Sequence, residues 1–458
     1  MDDLTELLLR AASTAADYRA TLSEIPVSPS AELDALRRAF ADPLQARPTP
    51  PGEVLDDLVQ AAQGGLMATA GPRFFGFVIG GSLPAATAAD IVATGWDQCA
   101  FNAVLAPAAS AAEQGAGGWL KDLLGIPPTA SVGFVTGAQQ ANTVGLAAAR
   151  QHVLAENGWD VGRDGLNGAP RVRVVASAER HATIDRSLRL LGFGTSAIES
   201  VDTDAKGAIG IDDLARVLAA GPPSPTIVCL QAGNVNTGAC DDLRSGSDVA
   251  HRHGAWVHVD GAFGLWAAAS PTTRRLVDGV ELADSWGCDG HKWLNVPYDA
   301  GFVFCARPEV HAAAVSYTAA YLIGSGGASA GSADFTLESS RRARGFAVWA
   351  ALRELGRDGV AELVERTCRL ARRFATALAD GGAEIANDVV LNQVLVGFGD
   401  DARTERIIAA VQRDGTCWLG GTRWHGRQLM RISVSNWSTT EDDIDRSAAA
   451  IIRLAETA

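Results

Sequence analysis

The sequence predicts an α/β protein: a large domain with a mostly parallel sheet between helices, and a smaller α+β domain at the C-terminal end. Two observations predict it. From about residue 80 to 310, short apolar runs rich in β-branched residues alternate with helical stretches, as parallel strands joined by covering helices do. Beyond 345 the pattern changes to long helices followed by alternating strands.

Ahead of both regions, residues 2–20 and 31–41 carry helical apolar spacing and lead into a Pro-rich joint, RPTPPGEV, at 47–54. With no core of its own, this segment is expected to pack on something larger or on a partner subunit. The strand-like runs are VGFV (132–135), VRVVAS (172–177), TIVCLQ (226–231), WVHVD (256–260) and GFVFC (301–305), with helices over 139–156, 182–192 and 241–253 between them. GSGGASAG at 324–331 has no stiffness of its own. The tail reads as helices over 346–356 and 360–379, strands over 390–398 and 429–436, and a last helix over 440–455. The expected division is residues 1–75, 76–345 and 346–458. No internal repeat is evident.

The formal charge of −14, from 39 basic and 53 acidic residues, offers no footprint for nucleic acid or an anionic membrane. A phosphate-bearing ligand would need local donors. Seven scattered cysteines without a C-x-x-C pair suggest neither a metal centre nor a disulfide framework. The first residues are acidic and lack the cationic stretch of a secretory signal. No apolar run reaches the length of a membrane span. A cytoplasmic protein is expected.

The chemistry concentrates in ADSWGCDGHKWLNVPYDAG, 283–301. Lys292 sits between His291 and Trp293 in a loop at the sheet edge, where ligand sites of α/β proteins lie. A desolvated amine there can form a Schiff base with an aldehyde. An aldehyde cofactor that acts as an electron sink needs an acid to keep its ring nitrogen protonated. Asp260 ends WVHVD and is followed by the small residues Gly261 and Ala262, so a flat ring could approach. His181 follows VRVVAS at the head of a helix, placed to stack. TGAQQAN (136–142) runs from a strand into a helix whose first N–H groups could bind phosphate. Taken singly, each has a plainer explanation: a surface lysine, a turn aspartate, a helix cap, a Gly-Ala turn.

Together the segments resemble the pyridoxal-phosphate (PLP)-dependent group II amino-acid decarboxylases, with members acting on aromatic amino acids most similar. GPRFFGFVIGGSLPAATAAD (71–90) resembles the segment at that family's active-site mouth, HVDGAFG (258–264) its aspartate motif and GVELADSWGCDGHKW (279–293) its lysine motif. The resemblance spans roughly 70–370. It implies PLP fold type I, aminotransferase-like, and decarboxylation of an aromatic or hydrophobic L-amino acid in a homodimer with shared sites.

By position, Lys292 would carry the Schiff base and Asp260 would pair with the ring nitrogen. His181 and Ala262 would cover the two ring faces, Ala138 and Gln139 would contact phosphate, and His291 would line the site. Tyr321, in a loop that is mobile in the family, or His181 would protonate the substrate carbon. Phe77, Val78 and Ile79 would face the substrate, and Phe101 would complete the neighbour's pocket. The chain departs from the family in having Asp289-Gly290 where Asn-Pro is usual and Gln139 where Ser is usual. Asp289 is therefore not assigned to the phosphate. Arg431 could hold a substrate carboxylate and so favour an aminotransferase or another PLP lyase, and a non-catalytic homologue is the third reading. Arg341, Arg342 and Arg344 could serve either the pocket or the fold.

Overall fold

The computed structural model describes residues 3–41, 43–221, 223–317 and 331–457. It opens with helices α1 (Leu4–Thr21), α2 (Leu33–Ala39) and α3 (Pro51–Ala62). Next come α4 (Pro84–Trp96), α5 (Pro107–Leu124), β1 (Ser131–Val135), α6 (Ala138–Ala155), α7 (Val161–Asp164), β2 (Arg173–Ser177), α8 (Ala182–Leu190) and β3 (Ile198–Val201). These lead to α9 (Ile211–Ala220), β4 (Thr226–Gln231), α10 (Leu243–Arg252), β5 (Trp256–Asp260), β6 (Ser285–Asp289), β7 (Gly301–Cys305) and α11 (Pro308–Val315). The C-terminal part holds α12 (Gly345–Asp380), β8 (Glu384–Ile385), β9 (Gln393–Gly397), α13 (Asp401–Asp414), β10 (Gly420–Trp424), β11 (Arg427–Ser433) and α14 (Glu441–Glu456).

Two compact units result: Ser82–Arg372 with Asn387–Val394, and Met1–Gly81 with Arg373–Ala386 and Leu395–Ala458. This differs from the three consecutive segments expected. Helices α1 and α2 bury no side chain, so they have no core to make a unit of their own. Leu22, Val27, Ala68 and Phe74 are instead buried in one cluster with Trp418 packed against it. The two helices expected near 346–379 form α12, whose backbone breaks at Gly356 (φ 60°, ψ −176°).

The larger unit is built on a seven-stranded sheet in the order β1-β7-β6-β5-β4-β2-β3. The pairs β6/β5, β5/β4, β4/β2 and β2/β3 are parallel, and β7 runs against both β1 and β6. It follows that β1, β2, β4, β5 and β6 all end at the same edge of the sheet. Strands β2, β4, β5, β6 and β7 are buried along their whole length, as strands covered on both faces are.

The sequence reading did not anticipate β6, SWGCD, because it lacks β-branched residues and carries a glycine. The glycine is required: a Cβ on Gly287 would lie 2.5 Å from Asn142 Oδ1 on α6. The same contact region holds His258. Its Nε2 lies 3.1 Å from Asn142 Oδ1 and its Nδ1 2.9 Å from Ser285 Oγ. Burial pulls this imidazole down to about 3, so it is neutral and serves to tie α6, β5 and β6 together.

The smaller unit contains a four-stranded sheet, β10-β11-β9-β8, with β10/β11 and β9/β8 antiparallel. Buried Arg73 fixes the incoming chain to it, pairing with Asp443 at 3.1 Å and donating to Thr416 O at 2.8 Å. Phe74 stacks on Trp418 with centroids 5.0 Å apart. No helix among the described residues is long and apolar enough to cross a membrane.

Candidate active site

The shared edge where five strands end carries a cavity of about 310 Å³. Thr136, Gly137, Ala138 and Gln139 enter it after β1, His181 after β2, and Gln231 at the end of β4. Asp260, Ala262 and Phe263 follow from β5, and Asp289, His291 and Lys292 from β6. Parallel strands bring these distant segments together, because residues just past each strand end meet in one crevice. β6 is an interior strand, so Lys292 sits at the carboxyl end of a central strand and not beside an edge strand.

The chain has three lysines. Lys121 donates to the carbonyls of Pro128 and Ala130 at 2.6 and 2.8 Å, and Lys206 pairs with Asp388 at 2.8 Å. Lys292 is the one that lines the cavity, with a side chain 21% exposed and Nζ 2.9 Å from Asp289 Oδ2. Its loop is anchored behind it by Trp293, which is buried and donates to Thr367 Oγ1 on α12 at 2.9 Å.

Asp260 is buried at the end of β5. Its Oδ1 accepts from Ala262 N at 3.2 Å, and its carbonyl accepts from Ala232 N at 2.9 Å. That leaves its second carboxylate oxygen for the cavity. His181 caps α8: its Nδ1 accepts from Thr183 N at 3.3 Å and lies 2.9 Å from Thr183 Oγ1. Nδ1 is thereby engaged at the start of α8.

The start of α6 is organised by Gln140, whose Oε1 accepts from Thr136 N and Thr136 Oγ1 at 2.9 and 3.0 Å. The Gln139 amide is turned to α8, donating to Ser187 Oγ at 3.0 Å and Thr183 O at 3.3 Å. Its backbone N–H, in the first helical turn, has no carbonyl four residues back. A Cβ on Gly137 would lie 2.9 Å from His291 Cε1, so only glycine leaves this turn open. His291 stacks on Tyr298 with centroids 4.4 Å apart and accepts from Ala300 N at its Nδ1. Burial pulls it below the ordinary imidazole range, leaving a neutral ring with Nε2–H 3.4 Å from Asp289 Oδ1.

Residues 34–398 match the family described as pyridoxal-dependent decarboxylase conserved domain. The chain belongs to the pyridoxal-dependent decarboxylase family. Tryptophan decarboxylase 1 of Oryza sativa subsp. japonica is 28% identical over 489 residues, 99% of this chain and 93% of that protein. The aromatic-L-amino-acid decarboxylase of Bacillus atrophaeus is 25% identical over 471 residues, 99% of this chain and 96% of its own. In fold, the crystal structure of Oryza sativa TDC with PLP and tryptamine matches with a TM-score of 0.91 at 24% identity, covering 100% of this chain and 98% of the other. The family match and the decarboxylases among its relatives make this chain a pyridoxal-dependent carboxy-lyase.

The cavity of this decarboxylase fits such a cofactor. It offers one amine, one buried acid at the end of a neighbouring strand, small Ala262 on its wall, and a glycine-opened helix start. Asp289 is the discordant group: its Oδ1 takes the Ala138 N–H at 2.5 Å. Among the residues expected at the site, Lys292, Asp260, His181, Ala138, Gln139, Ala262 and His291 share the cavity.

The other described residues expected at the site are not among those that line this cavity. Phe77, Val78 and Ile79 belong to the smaller unit. Phe77 is exposed and stacks on Trp418, Val78 is buried, and Ile79 packs against the Leu22–Phe74 cluster. Phe77 and Val78 both hold positive φ (54° and 59°), an uncommon strain for non-glycine residues that gathers at functional segments. Phe101 lies half-buried in the loop between α4 and α5, its carbonyl accepting from Ala333 N. Tyr321 lies outside the described residues.

Arg431 is in β11 of the smaller unit, where burial lowers its pKa. Each of the three clustered arginines is held in an ion pair: Arg341 with Glu113, Arg342 with Asp90 and Arg344 with Asp299. Sequence reasoning passed over Tyr298, Gln140 and the scarcity of lysine; the last was readable by counting, whereas the other two depend on loop geometry.

Proposed function

We propose that this decarboxylase converts an aromatic L-amino acid to its amine and CO₂, with PLP held on Lys292. The observation that carries the reading is that the one lysine not engaged elsewhere shares a cavity with a buried aspartate from the adjacent parallel strand. The similarity to decarboxylases named for tryptophan and aromatic L-amino acids supports the substrate class.

When bound, the cofactor supplies an aldehyde for the amine and a cationic ring that accepts the electron pair left as CO₂ departs. Lys292 would hold it through Nζ. Asp260 would keep a proton on the ring nitrogen, which requires an anionic acceptor in a dry position. His181 would lie along one face of the ring and Ala262 along the other. The first-turn N–H groups of Ala138 and Gln139 would hold the phosphate. Tyr321 is the proposed proton donor to the substrate carbon, and Phe77, Val78 and Ile79 the proposed substrate-side residues.

Incubating the PLP-loaded enzyme with each of the twenty amino acids and assaying CO₂ and amine tests the reading. Release is expected from tryptophan, tyrosine or phenylalanine. Release from none of the twenty, or keto acid in place of amine, would contradict it.

The enzyme is further proposed to be a cytoplasmic homodimer. All seven cysteines are unpaired, which suits a reducing compartment. Helices α1 to α3 leave Leu4, Leu8, Leu9 and Leu58 exposed, a surface suited to cover by a second copy, and Phe101 is proposed to complete the neighbour's pocket. Equilibrium sedimentation should return about twice the 47.6 kDa chain mass; a single-chain mass at micromolar concentration would contradict the dimer.

A further inference from the structure

We propose that Asp289 is a built-in competitor for the cofactor's phosphate: it takes the helix donor that the phosphate would use and must be displaced when PLP binds. The inference rests on the reading of the cavity as a PLP site.

The Asp289 side chain is 3% exposed, at the carboxyl end of β6. Its Oδ1 accepts from Ala138 N at 2.5 Å, the first N–H of the 18-residue helix α6, and its Oδ2 lies 2.9 Å from Lys292 Nζ. The same Oδ1 faces the Nε2–H of neutral His291 at 3.4 Å. One acid thus engages the helix start that would hold the phosphate, the amine that would hold the aldehyde, and a ring between them.

A phosphate dianion cannot share this N–H with a carboxylate. Two like charges a few ångström apart in a buried site repel strongly, and neither can be relieved by water. Binding would therefore remove both contacts together: the phosphate would need the Ala138 N–H, and imine formation at Lys292, which releases water and a proton, would take away the primary ammonium that faces Oδ2. The contacts of Asp289 with Ala138 and Lys292 are what the loaded form must give up. A neutral side chain of the same shape would keep the Ala138 contact available without repelling phosphate. The expected consequence is an enzyme that holds PLP less tightly, and releases it more readily, than its cavity would otherwise allow.

The test compares cofactor-free wild type with Asp289→Asn. PLP, inorganic phosphate and pyridoxal, which lacks the phosphate, are each titrated, with binding read by absorbance or by thermal shift. The variant should bind PLP and inorganic phosphate more tightly, PLP by about tenfold or more, while pyridoxal affinity changes far less. Its cofactor-free melting temperature should fall, widening the gap between free and loaded forms. Equal or weaker binding of PLP and phosphate would overturn the proposal. So would a parallel change for PLP and pyridoxal, which would assign the effect to Lys292 alone. If neither protein binds PLP, the cofactor reading itself fails, while the inorganic phosphate titration still decides whether Asp289 competes for the helix start.

Discussion

Lys292→Ala is expected to lower kcat by roughly 10³-fold or more and to remove the absorbance band of protein-bound cofactor. The reasoning is one of exclusion as well as placement. Lys121 is spent on two carbonyls and Lys206 on a surface ion pair, so no second amine stands ready at the cavity. The loop that carries Lys292 is fixed by buried Trp293 and its bond to Thr367, which keeps Nζ at the cavity without help from the cofactor. Removing the amine also leaves Asp289 buried without its closest cation, so the variant should be less stable as well as inactive. Its melting temperature should accordingly be read beside its spectrum. A variant that folds, binds PLP with the wild-type spectrum and retains activity would place the covalent link on another group.

Asp260→Asn should produce the second-largest loss, roughly 10²–10³-fold in kcat, the size expected when one partner of a buried charged pair is removed. Asparagine keeps an acceptor for the Ala262 N–H, so the turn after β5 should survive and the protein should fold normally. The asparagine amide cannot hold a proton on a ring nitrogen as a carboxylate does. The loss should therefore fall on kcat, with substrate KM little changed. Steady-state kinetics on the folded variant check this split. A rise in KM at constant kcat would show that Asp260 binds substrate and does not sustain the electron sink.

Much of the larger unit could be read from the sequence, for a physical reason. Strands β2, β4, β5 and β7 are buried on both faces and so appear as short runs of valine, isoleucine and phenylalanine, flanked by helices of clear period. β6 escaped because close packing of α6 requires Gly287 where a β-branched residue would ordinarily mark a strand. The N-terminal helices were legible as helices, but their grouping with the C-terminal sheet depends on Arg73, Phe74 and Trp418 meeting across hundreds of residues, which no local pattern encodes.

At the site, residues directly following strands share one cavity because strand ends converge in a parallel sheet. The conduct of their side chains was not legible. Gln139 was expected at a phosphate and directs its amide to Ser187. Asp289 was set aside as unfavourable to an anion and stands at the helix start itself, tolerated there by Lys292. Such choices depend on which partner is nearest in space, and that is fixed only when four strands and two helices are in place.

The most direct measurement is reduction of the PLP-loaded enzyme with borohydride, followed by proteolysis and mass spectrometry of the lysine peptides. With only three lysines in the chain, the assignment is unambiguous. A phosphopyridoxyl group on Lys292, with Lys121 and Lys206 unmodified, is the predicted result; a label on either of those two, or on none, would contradict it.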